Sequence, residues 1–160
     1  MPGDTLILGL GNPILSDDRI GLLVARRLGE LLDGVDVEEA AIAGMAVLDL
    51  VQGYRRLVVV DSVATGQGRP GDLYRMSLED LGPAVPVISH HGAGLASTLA
   101  AGRVMGYDLP AEVDIWAVEI ESGTEFGEKL SPAVESRLPA IVDEILETSF
   151  PASGDLMADP

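Results

Sequence analysis

Leu6-Ile7-Leu8-Gly9-Leu10-Gly11-Asn12-Pro13-Ile14-Leu15-Ser16-Asp17-Asp18-Arg19-Ile20-Gly21 is the stretch that decides the fold. An apolar run, a glycine turn and two adjacent acids at a helix start follow one another. Apolar side chains on both faces of Leu6 to Leu10 predict a strand covered on both sides, as in a parallel α/β sheet. Acids just past such a strand face the crevice where these sheets bind ligands.

Outward from this stretch, strands and helices alternate as βαβ units do. Ile20, Leu23, Val24, Arg27, Leu28, Leu31 and Leu32 mostly follow the spacing of a helix packed by one face, and Gly34 stops it. Val35 to Ala41 reads as a weaker strand, and Val47, Leu48 and Val51 mark a short helix between Gly44 and Gly53. Leu57-Val58-Val59-Val60-Asp61 is the clearest strand after the first, and it too ends in an acid. Thr65 to Gly71 is a glycine-rich loop, and Asp72 to Met76 alternates like an edge strand. Ser89-His90-His91-Gly92 leads into a helix from about Ala93 to Met105, closed by Gly106 with Pro110 beyond it. Val113 to Ile120 is a further strand. Ser131 and Pro132 fit the N-cap and first position of a last helix, whose core stripe is Val134, Leu138, Ile141, Val142, Ile145 and Leu146. Pro139 is expected to bend that helix near its start. From Ser149 the chain turns short and acidic, so residues 149–160 are expected to be a disordered tail behind a single domain over residues 1–148.

A chain of 160 residues, 47% of them apolar, can bury one real core. Its 26 acids against 10 bases give a formal charge of −16, which repels nucleic-acid phosphates and anionic membranes at long range. Neither nucleic acid nor membrane insertion is therefore expected. No apolar run approaches the roughly 20 residues that span a bilayer, and no basic segment leads into a signal-type stretch, so a cytoplasmic protein is expected. The absence of cysteine excludes thiol catalysis, thiolate metal sites and disulfides. A metal would have to take nitrogen and oxygen ligands.

The two histidines are neighbours, and adjacent side chains point too far apart for both to reach one centre. His91, where a loop enters a helix, is the one placed to face the same crevice as Asp18 and Asp61. Two carboxylates and an imidazole suit a first-row divalent metal such as nickel, zinc or iron, with positions left open for substrate or water. The same set could run general acid/base chemistry. Asp17 reads more simply as a helix-start acid. Asp61 is harder to explain structurally, because an acid directly after a buried strand needs a partner or a purpose. Gly9-Leu10-Gly11 fails as a dinucleotide fingerprint, since Ile14 stands where the third glycine belongs and Asp17 and Asp18 would oppose a phosphate. The turn Gly11-Asn12-Pro13 is better used to present the acids. Gly-x-Ser-x-Gly, His-Glu-x-x-His and a lysine-bearing phosphate loop are absent from the sequence, whose single lysine is Lys129.

Three motifs together, Gly9-Leu10-Gly11-Asn12-Pro13 through Gly21, then Val58-Val59-Val60-Asp61, then Ser89-His90-His91-Gly92-Ala93-Gly94-Leu95, resemble the hydrogenase maturation endopeptidases over roughly residues 5–148. The resemblance implies a three-layer αβα fold of the phosphorylase/hydrolase-like kind, a twisted, mainly parallel five-stranded sheet between helices. It implies a protease that removes a C-terminal extension from the large-subunit precursor of a nickel-iron hydrogenase after nickel insertion, the nickel belonging to the substrate. The residues it implies at that nickel are Asp18, Asp61 and His91, with His91 preferred to His90 because the family places its histidine three residues before the glycine matched by Gly94. Arg19 and Gly92 depart from the family pattern beside those positions, which bears on substrate preference. Peptidyl-tRNA hydrolase shares a Gly-Leu-Gly-Asn-Pro turn, but would need a histidine shortly after it and basic residues for tRNA. A metal-sensing or hydrogenase-binding chaperone without proteolysis is the non-enzymatic alternative.

Overall fold

The computed structural model describes residues 3–41, 44–78, 94–121 and 125–152. Its sheet has five strands: β1 Thr5–Leu10, β2 Val35–Ala40, β3 Arg56–Val63, β4 Leu73–Met76 and β5 Glu112–Glu119. They lie in the order β2-β1-β3-β5-β4. β1, β2, β3 and β5 are mutually parallel, and the short edge strand β4 runs antiparallel to β5. The helices are α1 Ile20–Leu31, preceded by a single 3-10 turn at Asp17–Arg19, then α2 Ala46–Val51, α3 Leu95–Val104 and α4 Pro132–Ser149.

Alternation along the strands sends side chains to two cores, one on each face of the sheet. Ile7, Val58, Val60, Trp116 and Val118 pack with α1 and α4, whereas Leu6, Leu8, Leu57, Val59 and Ile115 pack with α2 and α3. Each fully buried Leu, Ile or Val contributes about 1.5–3 kcal/mol by leaving water. The result is the expected αβα sandwich with a five-stranded, mainly parallel sheet. No described helix is long and apolar enough to cross a membrane.

The chain moves from β1 sideways to β2 and then back across β1 to β3, so the direction of winding reverses between β1 and β3. At such a switch the loops leave in opposite directions and open a crevice beyond the strand ends. The approach of α1 to this point is unusually close. A Cβ at Gly21 would lie 2.2 Å from the Leu10 carbonyl oxygen and 2.5 Å from that of Val60, so only glycine fits there.

α1 keeps only part of its expected face, with Ile20, Val24 and Leu28 in the core and Leu32 packed alongside. Gly21, Leu22 and Ala25 are buried with Ile20, Val24 and Leu28, whereas Leu31 is exposed and Leu23 only partly covered. Spacing based on large apolar residues overlooked the small ones that make the contact. α4 keeps its expected stripe, with Val134, Ile141, Val142 and Ile145 buried and Leu138 and Leu146 packed alongside. It runs through Pro139 without ending there. Ser149, assigned to the tail on sequence, is instead the last helical residue and is buried, and Phe150 packs against the core. Residues 153–160 lie outside the described residues.

Candidate functional site

β3 outruns β1: the last paired residues are Gly9 and Val60, and β3 continues through Asp61, Ser62 and Val63 against β5 alone. Asp61 is therefore not at the strand's end, as its sequence suggests, but inside a strand whose β1 flank has stopped. Alternation sends it to the α2 and α3 side, with Leu57 and Val59, and sends Ser62 to the α1 side. Asp61 is 4% exposed and Ser62 3%.

The glycine turn brings Asp18 to the same place. At Gly11 a Cβ would stand 2.3 Å from the Asp18 carbonyl oxygen, so the turn folds directly onto the acid. The Asn12 backbone N–H donates to one carboxylate oxygen of Asp18 (3.0 Å), and the Ser62 hydroxyl donates to the other (2.7 Å). The Ser62 backbone N–H donates to the Asp61 carboxylate at 2.8 Å. Two acids from sequence positions 43 residues apart thus meet at one serine, and Asp18 is only 1% exposed. A buried carboxylate normally needs a cation or several hydrogen-bond donors, and these acids lie at the end of the sheet where such folds bind ligands.

Asp17 has another role. Both its oxygens are taken by Ser131, one by the backbone N–H and one by the hydroxyl, each at 2.7 Å. Ser131 and Pro132 take the N-cap and first positions of α4, as their sequence suggests. The Ser131 hydroxyl serves Asp17, and a carboxylate rather than a hydroxyl meets the start of α4. Asp17 therefore ties the turn before α1 to α4, in keeping with its structural reading.

Two residues at this end escaped sequence reasoning, Ser62 and Glu119. Glu119, 1% exposed, accepts hydrogen bonds from the Thr65 and Gly68 backbone N–H groups, each at 3.0 Å, and from the Thr65 hydroxyl. It anchors the glycine-rich loop that follows β3. Burial, and next the Glu119 carboxylate, push the neighbouring Tyr74 phenol above its ordinary range. The signal for Glu119 was present, since Val118-Glu119-Ile120 is an acid within a buried strand, the same anomaly that marked Asp61.

His90 and His91 lie outside the described residues, as does Gly92. Among the described residues, no three histidine, aspartate or glutamate side chains converge as a metal cluster. The donor chemistry of Asp18 and Asp61 is oxygen, which suits a borderline divalent ion once a nitrogen ligand joins it. Pro13, Arg19, Leu22, Leu23, Arg26 and Glu128 line a cavity of about 330 Å³ along the start of α1.

The family model described as hydrogenase maturation protease matches residues 24–148. The hydrogenase 2 maturation protease of Escherichia coli is 30% identical over 146 residues, covering 88% of this chain and 87% of that one. Among solved structures, the hydrogenase maturating endopeptidase HybD from E. coli superposes with a TM-score of 0.75 at 29% identity, covering 91% of this chain and 90% of that one. The [NiFe] hydrogenase maturation protease HybD from Thermococcus kodakarensis gives 0.74 at 25% identity, covering 92% and 98%.

Proposed function

This chain belongs to the hydrogenase maturation protease family, and from that premise we propose that it removes the C-terminal extension of a nickel-iron hydrogenase large-subunit precursor once nickel is in place. The observation that carries the reading is the meeting of Asp18 and Asp61 at Ser62, buried at the switch between β1 and β3. Buried carboxylates from two elements that meet at one residue suit either acid/base chemistry on a shared proton or a cation brought by the substrate. The relatives are hydrogenase maturation proteases, and this favours the cation and a precursor that carries its metal.

In this reading Asp18, Asp61 and His91 meet the precursor's nickel, and the nickel is part of the substrate. Peptide cleavage is hydrolysis: the water oxygen bonds to the scissile carbonyl carbon, the C–N bond breaks, and the amine leaves with the proton that water gives up. A carboxylate of the pair can carry that proton. Alternatively the metal polarises the scissile carbonyl. The second route makes the rate depend on which metal the precursor holds, and the first depends chiefly on the carboxylates. The partner is the large-subunit precursor, met in the cytoplasm.

The test is cleavage of a purified precursor, with and without nickel, by the purified protein. Shortening of the nickel-loaded form alone is expected. Equal cleavage of both forms would refute nickel recognition, and tight binding of the precursor without cleavage would favour a non-proteolytic chaperone. Asp18→Asn, Asp61→Asn and His91→Ala are each expected to stop processing, with His90→Ala much milder.

A further inference from the structure

We infer that Ser62 is a positioning residue that sets the two acids in one geometry for the metal of the substrate, by donating its hydroxyl to Asp18 and its backbone N–H to Asp61. The inference rests on the proposed function and assigns a role to a residue that neither the sequence motifs nor the comparisons single out.

Three observations carry it. The Ser62 hydroxyl lies 2.7 Å from one Asp18 oxygen, a length typical of a strong bond to a carboxylate. Ser62 is buried, so water cannot stand in for its hydroxyl. Consecutive residues of one strand point to opposite faces, so Ser62 reaches Asp18 on the α1 side while its own N–H faces the Asp61 carboxylate. With the Asn12 N–H on the other oxygen, Asp18 is held at both ends and cannot rotate freely. A ligand fixed in this way presents its remaining lone pairs in one direction, and losing such an outer partner typically costs 10–100-fold in metal affinity.

The structure supplies its own control. Ser149 is equally buried, at 3% exposure, but lies at the opposite end of the sheet, where its hydroxyl joins Trp116 (2.9 Å) and Asp114 (3.2 Å). Ser62→Ala and Ser149→Ala remove the same atom from similarly buried surroundings. If Ser62 only stabilises the fold, the two variants behave alike.

The experiment compares wild type, Ser62→Ala and Ser149→Ala by calorimetry with nickel(II) alone, by steady-state cleavage of the nickel-loaded precursor and by thermal unfolding. Ser62→Ala is expected to weaken nickel binding roughly tenfold and to raise KM by a similar factor, with kcat changed less than about twofold. Ser149→Ala is expected to unfold earlier and to keep wild-type nickel affinity and KM. Wild-type nickel affinity and KM in Ser62→Ala would overturn the inference, as would an equal loss in Ser149→Ala. The wild type and Asp18→Asn, run in parallel, separate the two levels: if the wild type does not cleave the nickel-loaded precursor or Asp18→Asn cleaves it normally, the proposed reading of the acids fails, and if Asp18→Asn alone is inactive only the role of Ser62 fails.

Discussion

The two ends of the sheet treat their acids in opposite ways. At the end where the parallel strands begin, Asp114 accepts from Arg56 and from Arg75, each at 2.8 Å, with Ser149 behind them. Burial pushes the Asp114 carboxyl up, but the two guanidinium groups together outweigh it and hold the carboxyl below its ordinary value. Phe150 lies under Arg56 and Trp116 under Arg75, so the cations are themselves packed in place. On the same margin Asp36 is lowered by the Gly3 N–H and then by the Tyr54 hydroxyl, while burial, followed by Asp36, pushes the Tyr54 phenol up to about 12. At the other end, the partners described for Asp17, Asp18 and Glu119 are hydroxyls and backbone N–H groups. An acid satisfied by its own arginines has no use for a further cation. On the proposed function, the acids at the switch end meet the cation of the substrate instead.

Substitutions at the two ends should therefore separate activity from stability. The largest expected effect is on processing: Asp18→Asn and Asp61→Asn each lower cleavage at least about 1,000-fold, roughly 4 kcal/mol of transition-state stabilisation, with the unfolding midpoint nearly unchanged. A cleavage assay paired with a thermal melt checks both. Next is Glu119→Ala, which leaves the half-buried N–H groups of Thr65 and Gly68 without this acceptor. Half-burial puts each orphaned donor at the low end of about 1–3 kcal/mol, so chemical denaturation should show a loss on the order of 2 kcal/mol.

Asp114→Asn comes third and leaves cleavage intact. Because the folded carboxyl sits below its ordinary 3.8, its contribution is fully present above that pH and is lost as the pH falls through the lower folded value. Acid unfolding curves of the variant should therefore be flatter than wild type below about pH 3.8, the ordinary carboxyl value, and less stable above it. The smallest effects sharpen the contrast within that cluster. The Arg56 side chain is 19% exposed and that of Arg75 50%, so Arg56→Met is expected to cost about 1 kcal/mol and Arg75→Met no more than about 0.5 kcal/mol in urea melts, the exposed pair being screened.

Much of this contrast was legible in the sequence, and its limits have physical causes. Leu6 to Leu10 and Leu57 to Val60 announced buried parallel strands because both faces of each are apolar. The edge position of β4 followed from its alternation. The face of α1 was read only in part, because Gly21 and Ala25 also make close contacts, and their small size permits packing that a count of large apolar residues does not register. Asp18 and Asp61 stood out as acids beside buried strands. What ties them together, Ser62, did not, since a serine after an aspartate carries no periodic signal and its partner is 44 residues away. Asp17 and Ser131 show the same limit: each was placed correctly in its own element, and their contact across 114 residues was not visible.

The most direct measurement is calorimetric titration of nickel(II) into the wild type, Asp18→Asn, Asp61→Asn and Asp114→Asn. The expected result is one binding event in the wild type, kept in Asp114→Asn and lost in both variants at the switch crevice. A binding curve unchanged by Asp18→Asn and Asp61→Asn would contradict the assignment of these acids to the metal of the substrate.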